Sequence, residues 1–246
     1  MVGQGRMGTT LAAALAEAGY RTDGPAGRGR IPAGEVLLLC VPDGEIHAAA
    51  AAVAGTARLV GHTSGATPLD ALEPAARAGA EVLGLHPLQS LTGGREGLRG
   101  AGCAVAGSSP AAEAVAAAIA RDLGMSPFLI DDEQRGAYHA AASIASNFLV
   151  TLEAAAERVA EGAGLRPGES RALLAPLVRA TVDNWAALGP ERALTGPVVR
   201  SDEATIALQR AAVADAAPEL VELFDVLLER TRALATRDMV PAGASA

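Results

Sequence analysis

The chain opens with MVGQGRMG (residues 1–8), whose three glycines form a G-x-G-x-x-G motif. This motif indicates a dinucleotide-binding turn only where it follows a β-strand and opens a helix. A helix is predicted directly after it, because residues 7–18 are rich in Ala and Leu and Gly19 stands where a helix would end. Only Met1 and Val2 precede the glycines, so the first strand is truncated in this sequence.

That strand is expected to be central in such a fold, paired on both sides and buried on both faces. Losing its buried side chains would remove free energy comparable with the whole stability of a domain, ~5–15 kcal/mol. We therefore expect the native reading frame to begin upstream of Met1, with about six to ten mostly Val, Ile or Leu residues leading into Val2. The corresponding feature of residues 1–246 would be a gap in the sheet.

Short apolar runs alternate with helical stretches up to residue 130, which predicts βαβ units and a mainly parallel sheet. The predicted strands are 20–24, 35–41, 58–63, 81–85, 102–106 and 126–130. Beyond Asp131 the sequence pattern predicts only helices, at 133–162, 168–188, 202–214 and 218–236.

The predicted fold is therefore an α/β Rossmann-like dinucleotide-binding domain with a truncated first strand, followed by an all-α C-terminal domain. The first would span residues 1–131 and the second residues 132–240, with roles in substrate binding and dimerisation. PAGASA (residues 241–246) is predicted to be a disordered tail.

Composition excludes several functional classes. The net charge of −8 argues against nucleic acid or an anionic membrane as the main partner. All twenty basic residues are arginine, which excludes Schiff-base and other lysine chemistry. Two isolated cysteines and four scattered histidines offer no metal-ligand spacing, so we expect no metal site, and Cys40 and Cys103 are predicted to be buried free thiols. With no apolar run long enough to span a membrane and no signal peptide, the protein is expected to be cytoplasmic.

The glycine motif predicts how a dinucleotide would be held. Gly3 permits the tight turn, Gly5 lets the backbone approach the pyrophosphate, and Gly8 lets the helix pack on the strand. The helix N-terminus would supply hydrogen-bond donors and a partial positive charge. The remaining residues of this turn are included in the predicted cofactor site, namely Gln4, Arg6 and Met7. Arg6 is equally well explained as a solvated arginine of the first helical turn.

The stretch YRTDGPAGRGR (residues 20–30) bears on the choice of cofactor. Asp23 lies nearly 20 residues past the motif, which fits a carboxylate that binds the ribose of NAD. It falls in the middle of the predicted strand, however, whereas Arg28 and Arg30 follow in a glycine-rich loop suited to a phosphate. The sequence therefore favours NADP(H) over NAD(H).

Polar residues follow three further strands at the carboxyl edge of the predicted sheet, where ligands collect. Val41 and Pro42 of VPDG and Ser64 of HTSGA are predicted cofactor contacts, and His86 of HPLQS is a predicted substrate contact. For each residue, a turn or a cap is the simpler explanation.

The segment AYHAAASIASNFLVTL places His139, Ser143 and Asn147 at i, i+4 and i+8, on one stripe of a helix. Such a helix would be either a tightly packed core element or the wall of a ligand site, because buried polar side chains need partners. LTGPVVRSD (residues 194–202) adds Thr195 and Arg200, and Arg200 would bind a substrate carboxylate.

Several of these segments occur together, in order, in an uncharacterised bacterial family that the chain resembles. They are GQGRMG, LLLCVPDGEI, HTSGATPLDAL, LHPLQSL, YHAAASIASNFLVTL and LTGPVVRSD. That family pairs a Rossmann-like domain with a helical C-terminal domain of unknown function. It is similar to pyrroline-5-carboxylate reductase and to the 6-phosphogluconate and β-hydroxyacid dehydrogenases. The resemblance implies an NADP-dependent oxidoreductase that dimerises through its helical domain.

The chain departs from these families at two places. The β-hydroxyacid dehydrogenases have a catalytic lysine on the long helix, and this chain has no lysine. Ser201 stands where the resemblance leads us to expect a glycine, in an Arg-Gly-Asp sequence. The first departure leaves His139 as the predicted proton donor.

The sequence thus predicts an enzyme that moves hydride between NADP(H) and a small carbonyl, imine or hydroxy acid. His139 would be the general acid or base, since an ordinary histidine titrates near ~6.5. Ser143 and Asn147 would orient the substrate or the nicotinamide amide. Two alternatives remain open: a non-catalytic NADP-binding sensor or assembly subunit, and a reductase that uses deazaflavin F420 on the same fold. The small side chains of residues 140–146 and the apolar last helix predict a homodimer.

Overall fold

The computed structural model describes residues 1–92 and 97–237. The chain divides into two compact units, Met1–Asn147 and a second unit that begins at Phe148. The predicted disordered tail, residues 241–246, and the end of the predicted helical domain, residues 238–240, lie outside the described part of the chain.

The first unit is built on a five-stranded sheet with the order β1-β2-β3-β4-β5. Its strands are β1 (Val36–Leu39), β2 (Leu59–His62), β3 (Glu81–Leu88), β4 (Gly102–Gly107) and β5 (Ser126–Leu129). Neighbouring strands run parallel except at β3 and β4, which pair antiparallel from Leu83↔Gly107 to Leu88↔Gly102. The prediction of a mainly parallel sheet is confirmed, with one reversal of direction after β3.

Helices cover both faces of this sheet because its strand residues alternate between two apolar clusters. One cluster includes Leu38 and packs under α1 (Arg6–Glu17) and α4 (Pro110–Asp122). The other includes Leu37 and Leu39 and packs under α2 (Ile46–Ala52) and α3 (Glu73–Arg77). The α/β class of the first domain is therefore confirmed. Cys40 and Cys103 are buried free thiols, as predicted.

Val2 lies at the position of the central strand of the expected dinucleotide-binding sheet. It forms parallel bridges to Leu39 on one side and to Ala26 on the other. The Val2 amide donates to the Leu38 carbonyl at 2.9 Å, and the Ala26 amide donates to the Met1 carbonyl at 2.9 Å. The two residues before the glycines thus occupy the place of a central strand.

The predicted strand at 20–24 is wrong, because this segment forms no strand and the first bridge to Val2 comes only after it, at Ala26. A strand needs a partner along its length, and here the partner consists of Met1 and Val2 alone. Beyond them, Tyr20–Asp23, Val36 and Leu38 line a cavity of about 720 Å³, at the place of the expected gap in the sheet. The existence of residues before Met1 stays a prediction.

The second unit is helical, as predicted for the C-terminal domain. Its helices are α6 (Leu149–Gly162), α7 (Glu169–Leu188), α8 (Pro190–Ala193), α9 (Glu203–Ala216) and α10 (Val221–Arg237). A Cβ atom on Gly162 would lie 2.2 Å from the Ala216 Cβ, so α6 and α9 pack in close contact. None of the described helices is long and apolar enough to cross a membrane.

Ser201 lies in the left-handed region with φ of 54°, and it precedes Asp202, which caps α9 by accepting the Thr205 amide at 3.1 Å. Glycine adopts such a φ without steric strain, whereas serine does so at a cost. The structure thus gives a physical reason for a glycine at this position.

Candidate functional site

The three motif glycines have different surroundings. Gly3 has φ of 104°, and a Cβ atom there would lie 2.1 Å from the Cys40 carbonyl oxygen. A Cβ atom on Gly8 would lie 2.0 Å from the Gly3 carbonyl oxygen. A Cβ atom on Gly5 would meet nothing within 4 Å. Gly3 and Gly8 are therefore needed for packing, whereas Gly5 leaves open space in front of the α1 N-terminus.

A cavity of about 840 Å³ lies beside this turn, and we call it the glycine-turn cavity. The residues that line it include seven of the predicted cofactor contacts, namely Gly3, Gln4, Gly5, Arg28, Arg30, Val41 and Pro42. Gly5 is the N-cap residue of α1, and no side chain among the described residues accepts a hydrogen bond from the backbone amides of its first turn. Such amides favour an anion.

Both arginines of this cavity are paired with carboxylates. Arg28 Nη2 lies 2.6 Å from Glu45 Oε1. Arg30 forms an ion pair with Asp23, and the Asp23 carboxylate also accepts the Ala33 amide at 2.9 Å. Asp23 therefore holds its own loop together.

A second group of predicted site residues depends on α5 (Arg135–Ser143), which Arg135 fixes to the sheet. The Arg135 side chain is buried and donates from Nε to Asp132 Oδ1 at 2.6 Å. A Cβ atom on Gly84 would lie 2.8 Å from Arg135 Nη2, so a glycine in β3 makes room for the guanidinium. The other Asp132 oxygen accepts the Leu69 amide at 2.9 Å.

One turn of α5 after Arg135, the rings of Tyr138 and His139 lie against His86 of β3. His86 Nδ1 and the Tyr138 hydroxyl lie 2.7 Å apart, and the centroids of the His86 and His139 rings are 6.1 Å apart. His139 Nδ1 is buried and has no hydrogen-bond partner among the described residues. A Cβ atom on Gly65 would come within 2.9 Å of it and within 2.7 Å of His86 Cε1. Gly65 is therefore what lets the two imidazoles approach.

These rings open onto a cavity of about 640 Å³, which we call the histidine cavity. It is lined by His86, Tyr138, His139, Ser143, Ser146, Asn147 and residues of the segment after β3. Four predicted site residues, His86, His139, Ser143 and Asn147, thus meet in one cavity.

The helix that forms one wall is not regular. The predicted helix 133–162 is divided into α5, a π-helical turn at Ile144–Phe148 and α6. An α-helix advances about 100° per residue, so three residues spaced by four drift around its surface. A π turn holds about one residue more per turn, so it offsets the drift that accumulates from His139, and Ser143 and Asn147 both line the cavity.

Burial sets the protonation states of the rings. It lowers the pKa of His86 to about 4, with neighbouring His139 and Arg135 acting in the same direction. Burial also raises the pKa of Tyr138 to about 12. At neutral pH both groups are uncharged. We assign the hydrogen bond as donated by the Tyr138 hydroxyl to His86 Nδ1.

His62, at the end of β2, is buried in the same region. Burial, and after it the charge of Arg135, lowers the pKa of His62 to about 4. In the unfolded chain, His62 takes up a proton near pH ~6.5, whereas in the folded chain it does so only near pH 4. The burial of His62 therefore leaves the free energy of unfolding unchanged above pH ~6.5 and lowers it as the pH decreases toward about 4. We expect His62 to contribute up to roughly 3 kcal/mol to this loss in urea unfolding measured from pH 7 to pH 4.

The variant His62→Asn tests this origin of the acid sensitivity. In the wild type the Ser64 amide donates a hydrogen bond to His62 Nδ1 at 3.2 Å, and the asparagine side-chain oxygen can accept the same bond. The variant should show a shallower decrease in the free energy of unfolding, and His47→Asn, at an exposed histidine, should keep the wild-type slope. An unchanged slope in His62→Asn would refute this origin of acid sensitivity.

The remaining predicted residues lie elsewhere. Arg6 is exposed and Met7 packs against the core. Ser64 accepts the Thr67 amide at 3.0 Å, which is a turn role. Thr195 and Arg200 are exposed residues of the second unit. Their roles in binding stay predictions.

Sequence reasoning missed Tyr138, Gly65 and Arg135. The Asp132-x-x-Arg135 spacing does match an i, i+3 ion pair, which the structure contains. No cluster of three or more His, Cys, Asp or Glu side chains suited to a metal occurs in the described ranges.

Comparison with known proteins identifies the family. A family described as "Domain of unknown function (DUF2520)" matches residues 101–231. No curated protein matches the chain.

Several solved structures share the fold. A candidate NADP oxidoreductase from Bacteroides fragilis is 22% identical with a TM-score of 0.80, over 94% of this chain and 96% of that one. A Thermotoga maritima protein whose name states no activity is 26% identical with a TM-score of 0.74, over 86% and 83%. Plasmodium falciparum pyrroline carboxylate reductase, solved with NADP bound, is 12% identical with a TM-score of 0.61, over 95% and 96%.

These matches confirm the Rossmann-like fold, which a pyrroline carboxylate reductase shares. The family match covers more than half of the chain. The protein therefore belongs to the DUF2520 family.

Proposed function

We propose that the protein is an NADP(H)-dependent oxidoreductase that acts on a small carbonyl, imine or hydroxy acid. The observation that supports this best is the histidine cavity, in which a buried His139 nitrogen, without a partner among the described residues, lies beside the His86–Tyr138 pair. It belongs to the same compact unit as the glycine-turn cavity. The NADP-bound relative makes a nicotinamide dinucleotide the first cofactor to test.

The residues present fit a dinucleotide. Gly5 leaves open space before the α1 amides, where a pyrophosphate would accept hydrogen bonds. Arg28 and Arg30 line the same cavity and would hold the 2′-phosphate of NADP(H). Bound NADPH would supply the hydride.

The chain's own residues would manage the proton. When the substrate carbon gains a hydride, its oxygen or nitrogen must gain a proton, and protonated His139 would donate it; in the reverse direction neutral His139 would accept it. Tyr138 stays protonated at neutral pH and donates its hydroxyl hydrogen to neutral His86, so its oxygen would accept a hydrogen bond from an N–H or O–H group of the substrate. Ser143 and Asn147 would orient the rest of the substrate. Arg200 remains a predicted partner for a substrate carboxylate.

The proposal is tested first by binding. Thermal shifts of the purified protein should increase with NADPH more than with NADH or F420, and NADPH should then be consumed with one member of a panel of keto acids and imines. NADPH binding without turnover over the panel would favour the sensor, and a shift with F420 alone would favour the deazaflavin enzyme.

We also propose a homodimer formed through the second unit. That unit exposes several large apolar side chains, among them Leu208 at 72%, Leu173 and Leu177 at 64% and Trp185 at 56% exposure. So many exposed apolar residues are typical of an interface. Light scattering at micromolar concentration should give twice the monomer mass, and a monomeric mass would contradict the dimer.

A further inference from the structure

The two arginines of the glycine-turn cavity are held in different ways. Asp23, the partner of Arg30, also accepts the Ala33 amide at 2.9 Å. The Arg30–Asp23 pair is therefore part of the loop's own structure.

The Arg28–Glu45 pair joins two separate segments. Arg28 lies in the loop that follows Ala26, and Glu45 lies at the end of the 3-10 turn that leads into α2. Both side chains line the glycine-turn cavity, with exposures of 89% and 45%. Within the described residues, Arg28 is the one hydrogen-bond partner of the Glu45 carboxylate.

An exposed pair of this kind contributes little to stability and is easily exchanged. A phosphate dianion accepts hydrogen bonds from a guanidinium more strongly than a carboxylate does, so it would displace Glu45 from Arg28. The displaced carboxylate would stay close to the phosphate and repel it. A dinucleotide without a 2′-phosphate would leave the pair intact.

We propose that Glu45 is a specificity-determining residue, which competes with the 2′-phosphate of a dinucleotide for Arg28 and thereby weakens the preference for NADP(H) over NAD(H). This inference rests on the proposed binding of a dinucleotide. It also separates the two arginines, because Arg28 becomes the phosphate contact and Arg30 a residue that stabilises the loop.

Isothermal titration calorimetry with NADPH, NADH, 2′,5′-ADP and ADP tests the proposal without any substrate. Glu45→Gln should bind NADPH and 2′,5′-ADP roughly two- to tenfold more tightly than the wild type, because a like charge is removed. Its affinity for NADH and ADP should stay unchanged. Arg28→Ala should lose roughly ten- to hundredfold affinity for the 2′-phosphorylated ligands alone.

The double variant Glu45→Gln/Arg28→Ala shows whether the two residues act on one another. If Glu45 acts through Arg28, part of the gain from Glu45→Gln should disappear in the Arg28→Ala background. The matched control is Glu73→Gln, which removes a comparable exposed carboxylate from its ion pair with Arg77 in α3 and should change no affinity.

Equal gains for all four ligands, no gain, or a loss of NADH affinity in Glu45→Gln would each overturn the role of Glu45. The last result would assign Glu45 to the ribose hydroxyls of NAD(H). If the wild-type protein bound none of the four ligands, the proposed function would fail together with this inference.

Discussion

Replacing His139 by asparagine is expected to lower turnover by roughly 10²–10⁴ while leaving NADPH affinity unchanged. Asparagine keeps a polar side chain at the wall of the histidine cavity, but it cannot transfer a proton. His139 Nδ1 lies buried between Gly65 and His86 and is free of partners within the described structure, so it is available to a substrate atom. Steady-state kinetics with the substrate found in the panel would measure the effect.

The control is His47→Asn, at an exposed histidine of α2 outside that cavity, which should keep full turnover. Normal turnover combined with a lower melting temperature in His139→Asn would show that His139 only packs. Tyr138→Phe separates the two members of the cluster, because it removes the hydroxyl bound to His86 and leaves the His139 ring in place.

Gly5→Ala should fold normally and yet lose roughly ten- to hundredfold affinity for NADPH. Gly5 has φ of −70° and ψ of 179°, which alanine adopts freely, and its Cβ would meet no protein atom within 4 Å. The added methyl group would instead occupy the space in which the pyrophosphate meets the α1 amides.

Two other glycine-to-alanine variants serve as controls for Gly5→Ala. Gly8→Ala places a Cβ atom 2.0 Å from the Gly3 carbonyl oxygen and should destabilise the fold by ~1–3 kcal/mol or more. Gly136 is an exposed residue of α5, and a Cβ atom there would meet no other atom within 4 Å. Gly136→Ala should therefore neither lower the stability nor change the affinity for NADPH. Unchanged NADPH affinity in Gly5→Ala, measured by calorimetry, would show that the dinucleotide does not bind at this turn.

Most of the fold was predictable because its strands are short apolar runs separated by turn residues. The direction of β4 was not. Its residues Cys103–Ala106 are buried, and such a run gives no alternation that would distinguish a parallel from an antiparallel partner. The segment 20–24 has the composition of a strand, but pairing depends on a partner that is not encoded within it.

The candidate site was predictable where a polar residue interrupts an apolar segment, as His86 and His139 do. Tyr138 gave no such sign, because a tyrosine beside a histidine on a helix is typical of ordinary packing. Its relation to His86 depends on the reversed direction of β4 and β5, after which α5 runs from Gly84 to His86 of β3. Contacts of this kind join residues 52 positions apart and cannot be read from spacing.

The π turn at Ile144–Phe148 also affects how this chain is compared with its relatives. A helix that contains one such turn has one more residue than a regular helix with the same number of turns. A relative whose helix is regular throughout would match this chain only if a one-residue gap were placed within the segment. An ungapped alignment would put the wrong residue opposite Asn147 and displace every position of α6 by one. Within the protein itself, deleting one residue between Ser143 and Asn147 would leave a regular helix in which Asn147 follows His139 by seven positions and still lies on the same side of the helix.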